Sequence, residues 1–174
     1  GVGEVTLPGL DIPIGEPAIN KTPRLMIERE VSELLEEYGL ESKGIDVTIS
    51  VPEGEALAEK TFNPRLGIVG GISIIGTSGV VKPFSSDAFI GSIRIEIQVA
   101  KALKVNHIVF KSGAKSERYL KELYPDFISN AFIQYGNFIG EALNLANEEG
   151  IEEVTLGVML GKAVKLAEGN LNTH

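Results

Sequence analysis

The sequence predicts an α/β fold: a mixed or mostly parallel sheet flanked by helices on both faces. Short apolar, β-branched runs recur along the chain, and between them lie segments whose apolar residues return at helical spacing. Bulk composition agrees. With 174 residues, 43% hydrophobic and 23% charged, the chain is large enough for a real core and polar enough for a globular segment.

The elements follow in order. Between Thr22 and Tyr38, the residues Ile27, Val31, Leu34, Leu35 and Tyr38 form one helical stripe, with Glu28, Glu30, Glu33, Glu36 and Glu37 largely off it, and Gly39 supplies the stop. Ile45 to Val51 (IDVTISV) alternates apolar and polar residues over strand length. Leu66 to Ile75 is mostly apolar and β-branched, the pattern of a strand buried on both faces. A cap region, Pro83-Phe84-Ser85-Ser86-Asp87, opens a helix that starts at Ser85 or Asp87 and runs to about Leu103. His107 to Lys111 and Val154 to Met159 are shorter strands, and Asn137 to Asn147 is a helix with Phe138, Ala142, Leu145 and Ala146 on one side. A last helix starts after Gly161. No repeat, low-complexity tract or linker divides residues 1–174, which read as a single α/β segment. An opening on Gly1 and a close on Asn172-Thr173-His174 point to a piece of a longer chain.

Composition narrows the chemistry. The chain has no Cys and only His107 and His174, which leaves no disulfide framework, thiol nucleophile or histidine-rich metal cage. A net charge of -8 argues against nucleic-acid binding, which rests on clustered Lys and Arg. Apolar runs fall short of the ~20 residues of a membrane span, so a cytoplasmic location is expected, with no membrane partner.

The glycine-rich stretch from Gly70 to Gly79 (GGISIIGTSG) nearly spells a phosphate-binding loop, but Thr77 stands where the lysine belongs, and Val80 to Pro83 reads as extended chain rather than helix. A dinucleotide fingerprint needs glycines two apart, and Gly67, Gly70, Gly71, Gly76 and Gly79 have no such pair. The serine after Gly71 lacks the following glycine of a nucleophile elbow. What remains is a glycine-rich turn at the carboxyl end of a strand, which serves either close ligand approach, with Thr77 and Ser78 as donors, or tight packing.

The longer string from Asn63 to Val81 resembles the signature of the cobalt-precorrin-5B C(1)-methyltransferase family of anaerobic cobalamin synthesis. The likeness extends to Gly1 through Ile27, to Val51 through Gly67, to GNFIG (Gly136 to Gly140) and to GKAVKLAEGNLNTH (Gly161 to His174). It covers the family's central and later part and implies a longer two-domain enzyme whose amino-terminal region is absent here. It also implies methyl transfer from S-adenosylmethionine to carbon 1 of a contracted tetrapyrrole, giving cobalt-precorrin-6A, with cobalt carried only in the substrate ring. A sulfonium methyl is already activated, so such a reaction asks mainly for positioning and exclusion of water. The alternative is a non-catalytic binding or scaffold domain for an anionic metabolite.

Carried over motif by motif, the resemblance assigns Gly70, Gly71, Gly76, Thr77, Ser78, Gly79 and Glu16 to the cofactor. Asn63, Arg65, Asn137, Lys162 and Lys165 fall to the substrate, whose peripheral carboxylates suit the two lysines. Asn20 is a helix cap as readily as a ribose contact, Asn137 is a candidate N-cap, Arg24 and Lys82 are further basic candidates, and His107 reads as structural. No metal ligands are expected, and the partners implied are the tetrapyrrole and further copies of the chain. Two departures stand out: Gly157-Val158-Met159-Leu160-Gly161 lacks the family's histidine, and Lys111 to Ser116 replaces a Gly-Asn-x-Gly type turn.

Overall fold

The computed structural model describes residues 1–76 and 85–173. Their contacts divide into two compact units: Gly1–Leu7 with the residues from Asp11 to 76, and Pro8–Leu10 with those from 85 on. The architecture is α/β, as the sequence predicts, with a three-stranded parallel sheet in the second unit and a small antiparallel pair in the first.

In the first unit, β1 (Glu4–Val5) pairs antiparallel with β2 (Ile68–Val69). Further bridges, Glu4 to Pro17, Val2 to Ile72 and Ile19 to Ile74, extend this small sheet at both sides. Helix α1 (Lys21–Glu37) forms where its periodicity puts it, and Gly39, at φ +64°, follows its end. Its stripe is nevertheless little covered: Pro23 is its buried residue, while Leu34 and Tyr38 are 54% and 70% exposed. A short helix, α2 (Gly54–Ala58), and a 3-10 turn over Asn63–Leu66 complete the unit.

Two strand expectations are corrected here. Residues 45–51 belong to no strand. The run from Leu66 to Ile75 is not one buried strand, because Gly67 (φ +71°) and Gly70 (φ +78°) take the left-handed conformation and break the pleat after every few residues. Only Ile68 and Val69 remain in a ladder, and Val69 and Ile75 are 59% and 63% exposed.

The second unit holds the larger core. Helix α3 (Ser86–Ala102) starts at Ser85, whose hydroxyl accepts from the Ala88 N–H at 3.2 Å, with Asp87 in the first turn and Lys101 in the last, as the helix dipole favours. There follow β3 (His107–Lys111), α4 (Ala114–Leu123), β4 (Phe132–Gln134), α5 (Ile139–Glu148), β5 (Glu153–Gly157) and α6 (Leu160–Ala167). The strand order is β4-β3-β5, all parallel, with Lys111 opposite both Gln134 and Gly157. Alternation along β3 explains the layers. Ile108 and Phe110 pack with Ile93, Ile97, Ile139 and Leu145 of α3 and α5, whereas Val109 packs with Leu120 of α4 and with Phe132. Helices therefore cover both faces of the central strand, which is why it reads as an unbroken apolar run. Each fully buried Ile or Phe in this core contributes about 1.5–3 kcal/mol of transfer free energy.

Candidate functional site

Parallel strands leave their loops together at one edge, and three loops meet at the carboxyl edge of β4-β3-β5. From β3 comes Lys111, 1% exposed, whose ammonium bonds Glu117. Glu117 also accepts from Lys121 at 3.0 Å. Ser112 and Gly113 follow, and their N–H groups donate to the Ser116 hydroxyl at 3.0 and 3.1 Å. From β4 come Tyr135, Gly136 and Asn137. The Tyr135 ring is fully buried, and its hydroxyl reaches across to donate to the Gly157 carbonyl at 3.1 Å, at the end of β5. From β5 the chain passes through Val158 and Met159 into α6, which carries Lys162 and Lys165.

Here two sequence-distant motifs, GNFIG and GKAVKLAEGNLNTH, come together. Phe138 of GNFIG bridges antiparallel to Asn172, Gly140 N donates to the Leu171 carbonyl at 3.1 Å, and Thr173 N donates to the Asn137 carbonyl at 2.9 Å. Lys162 donates to the Gly136 carbonyl and stands 5.5 Å from the centre of the Tyr135 ring. Lys165 donates to the Thr173 carbonyl at 3.4 Å. Asn137 is thus not a side-chain cap: Phe138 occupies the N-cap of α5, and the main chain of Asn137 holds the carboxyl-terminal segment.

The electrostatics of this edge are uneven. Burial pushes the Lys162 ammonium below its ordinary pKa, and the nearby charge of Lys165 lowers it further. Its partners, a carbonyl and a ring face, are neutral. Among the described residues no carboxylate pairs with it. Burial raises the Tyr135 hydroxyl above its ordinary value, opposed by its hydrogen bond with Ser112. A half-buried cation with neutral partners and a buried neutral phenol favour an anion at this edge, since a carboxylate there would offset the cost of burying the charge.

The other predicted residues lie in the first unit. Asn63 is buried: its amide donates to the Gly71 carbonyl at 3.0 Å and accepts from the Ser73 hydroxyl at 3.1 Å, so it braces the glycine turn from beneath. What approaches Gly71 closely is the chain's own backbone, since a Cβ there would stand 2.2 Å from the Gly1 oxygen and 2.6 Å from the Val2 carbonyl carbon. Among the described residues, no atom lies within 4 Å of where a Cβ would stand on Gly70 or Gly76. Glu16 pairs with Arg24 at 3.3 Å, and Arg24 also donates to the Ile19 and Pro17 carbonyls at 3.0 Å each. Asn20 occupies the N-cap of α1 without a side-chain cap bond, and Arg65 is exposed on the 3-10 turn. The turn follows the antiparallel β2, not a strand of the parallel sheet, so its expected place at that sheet's carboxyl end is corrected. Thr77, Ser78, Gly79, Lys82 and His174 lie outside the described residues. His107 opens β3, where Nε2 meets the Thr155 hydroxyl at 2.8 Å and the ring packs edge-on to Tyr124 and Phe127.

Sequence reasoning missed Lys111, Ser112, Glu117 and Tyr135. The available signal was a lysine closing the apolar run HIVFK: a charge at the end of a strand covered on both faces is placed at the edge where parallel sheets carry ligands.

Comparison with known proteins separates family from fold. The CbiD family profile matches residues 1–83. The Geobacillus thermodenitrificans (strain NG80-2) cobalt-precorrin-5B C(1)-methyltransferase is 49% identical over 174 residues, covering 100% of this chain and 46% of its own length. The Prosthecochloris aestuarii (strain DSM 271 / SK 413) protein of that name is 51% identical over 173 residues, 99% of this chain and 47% of its own. The chain belongs to the CbiD family. It spans about half the length of the curated relatives it matches. A crystal structure of the cobalamin biosynthesis protein (cbiD) from Archaeoglobus fulgidus aligns at 26% identity and TM-score 0.42, over 90% of this chain and 57% of that one. The likeness to CbiD proteins therefore extends past the profile, through GNFIG and the two lysines to the carboxyl terminus.

Proposed function

We propose that this CbiD segment is the central and later part of a cytoplasmic methyltransferase that uses S-adenosylmethionine. Its reaction is methyl transfer to carbon 1 of cobalt-precorrin-5B, giving cobalt-precorrin-6A. The observation that carries the reading is Lys162: a half-buried ammonium with neutral partners, joined by Lys165 where two family motifs converge. A tetrapyrrole with peripheral carboxylates is a ligand of matching charge. The family names of relatives near half identity over the whole chain supply the reaction class.

The residues present fit the two ligands unequally. Gly113 and Gly161, beside the edge, have no atom of the described residues within 4 Å of where a Cβ would stand, so a ligand can approach their backbone. In the first unit Gly76 is open in the same way, with Thr77, Ser78 and Gly79 next in sequence, whereas Gly71 serves packing and Asn63 braces it. When bound, S-adenosylmethionine supplies an activated methyl group, transferred as its carbon–sulfur bond breaks with the electron pair remaining on sulfur. Lys162 and Lys165 bind and orient the ring through its carboxylates. The tie from Lys162 to Gly136 and the bond from Tyr135 to Gly157 fix the loops around it, so that carbon 1 is presented in line.

The test uses a full-length protein in which this stretch replaces the matched stretch of the Geobacillus thermodenitrificans relative. Lys162→Glu with Lys165→Glu should weaken cobalt-precorrin-5B binding about 10-fold or more under anaerobic calorimetry, at roughly 1 kcal/mol for each contact. Affinity for S-adenosylhomocysteine should hold. Unchanged tetrapyrrole binding at low salt overturns the lysine assignment, and no saturable S-adenosylhomocysteine binding by the parent favours the scaffold reading.

A further inference from the structure

Residues 45–51 of the first unit carry a strand-length pattern but belong to no strand. In a strand, their alternation would put Ile45, Val47, Ile49 and Val51 on one face and Asp46, Thr48 and Ser50 on the other. Among the described residues, no main-chain N–H or C=O group of residues 45–50 has a hydrogen-bond partner. Ile45 and Val47 are 58% and 51% exposed. Val47 and Ile49 also wall a groove of about 290 Å³ whose opposite side is formed by Val2, Pro17 and Ile19, with Glu4 at hand. A strand-length pattern with an open main chain, beside an apolar groove, is the geometry that strand addition uses.

We propose that residues 45–51 are the acceptor edge for a β-strand supplied by the part of the polypeptide that CbiD relatives carry outside the stretch matched here. Length argues for that occupant: the match takes up 46% of the Geobacillus thermodenitrificans protein, so more than half of that chain is there to provide it. Charge argues against a second copy. Residues 1–76 hold thirteen Asp and Glu against six Lys and Arg, a net of -7 out of the chain's -8. Two-fold pairing at this edge would bring two strongly acidic units together, which like-charge repulsion disfavours. The strand that docks here alternates apolar and polar residues, sets its apolar side into the Val2–Val47 groove and is flanked by Lys or Arg. The proposal rests on family membership and not on the reaction assigned above.

Hydrogen exchange tests it without reference to activity. In this chain alone the amides of residues 45–50 should exchange at nearly unprotected rates; in the full-length protein with this stretch grafted in, they should slow by about 100-fold or more. Val47→Pro removes a donor that has no partner in the isolated chain, so it should leave that chain's stability unchanged and abolish protection in the full-length protein. Val47→Asp, which alters the groove but no main-chain donor, should lower protection in the same place. Equal, fast exchange in both proteins overturns the proposal. Dimerisation of the isolated chain with protection of the same amides also overturns it and assigns the edge to a second copy.

Discussion

Gly71 and Gly76 belong to one glycine string, yet their surroundings separate them. A methyl group on Gly71 would meet the main chain of Gly1 and Val2, which cannot swing aside, while one on Gly76 would meet nothing within 4 Å among the described residues. Gly71→Ala should therefore cost about 2 kcal/mol or more in urea-unfolding free energy, and Gly76→Ala less than about 0.5 kcal/mol. If Gly76→Ala instead spares stability but lowers S-adenosylhomocysteine affinity in the full-length protein, the cofactor role moves to the open end of the string. Tyr135 offers a second contrast. Its hydroxyl is raised by burial in the folded chain, so above the ordinary tyrosine value near pH 10 the unfolded chain loses that proton first. The native state then binds more protons, and stability falls as pH rises through the window from the unfolded to the folded pKa. Lys162, whose pKa is lowered, acts with the opposite sign below its ordinary value, and so the comparison must be made against Tyr135→Phe. This variant should flatten the loss of urea midpoint between about pH 9.5 and 11 and cost about 1 kcal/mol at pH 8, where the Gly157 carbonyl loses its donor.

Among the elements, α3 was the most legible, because cap, charge and periodicity agree: Ser85 starts it, Asp87 and Lys101 suit its ends, and Ile93, Ile97 and Ala100 bury one face. Ser85→Ala should lower stability by about 1 kcal/mol in thermal unfolding, with Ser85→Asp restoring most of it. A null effect of Ser85→Ala would show that packing alone holds the first turn. β3 and β5 were legible for a similar reason, since an apolar run with few residues has little choice in a parallel sheet. β4 and α4 were missed. β4 has three residues, too few to show a period, and α4 reads as the polar run AKSERYLKEL, with Leu120 and Ser116 as its buried contacts. In the opposite sense, residues 45–51 and the α1 stripe have clear patterns that are only partly covered among the described residues, so periodicity there records what a segment can bury and not what it buries.

At the scale of the molecule, the distribution of charge matters more than its total. Residues 83–174 hold eleven Asp and Glu against nine Lys and Arg, a net of -2, so the second unit carries little of the chain's acidic charge and can hold two adjacent ammonium groups at its carboxyl edge. The binding that Lys162 and Lys165 give to a carboxylate ligand should therefore weaken as salt rises from about 20 to 300 mM, and the Lys162→Glu, Lys165→Glu protein should lose that dependence. A tetrapyrrole affinity insensitive to salt in the parent would place the contact in a dry site, away from these two ammonium groups.

The sequence by itself determined the α/β class, the helices α1, α3 and α5, the strands β3 and β5, and the family, because each rests on residues adjacent in the chain: periodicities, a cap and contiguous motifs. Only the tertiary structure decided the rest. Asn63 and Gly71 brace and pack a turn, Asn137 works through its main chain, Tyr135 lies against the Lys162 ammonium, and Lys111 ends the central strand of the parallel sheet. Those assignments depend on which residues from distant parts of the chain share a neighbourhood. A pattern of one residue after another does not carry that information until the strands are placed in register.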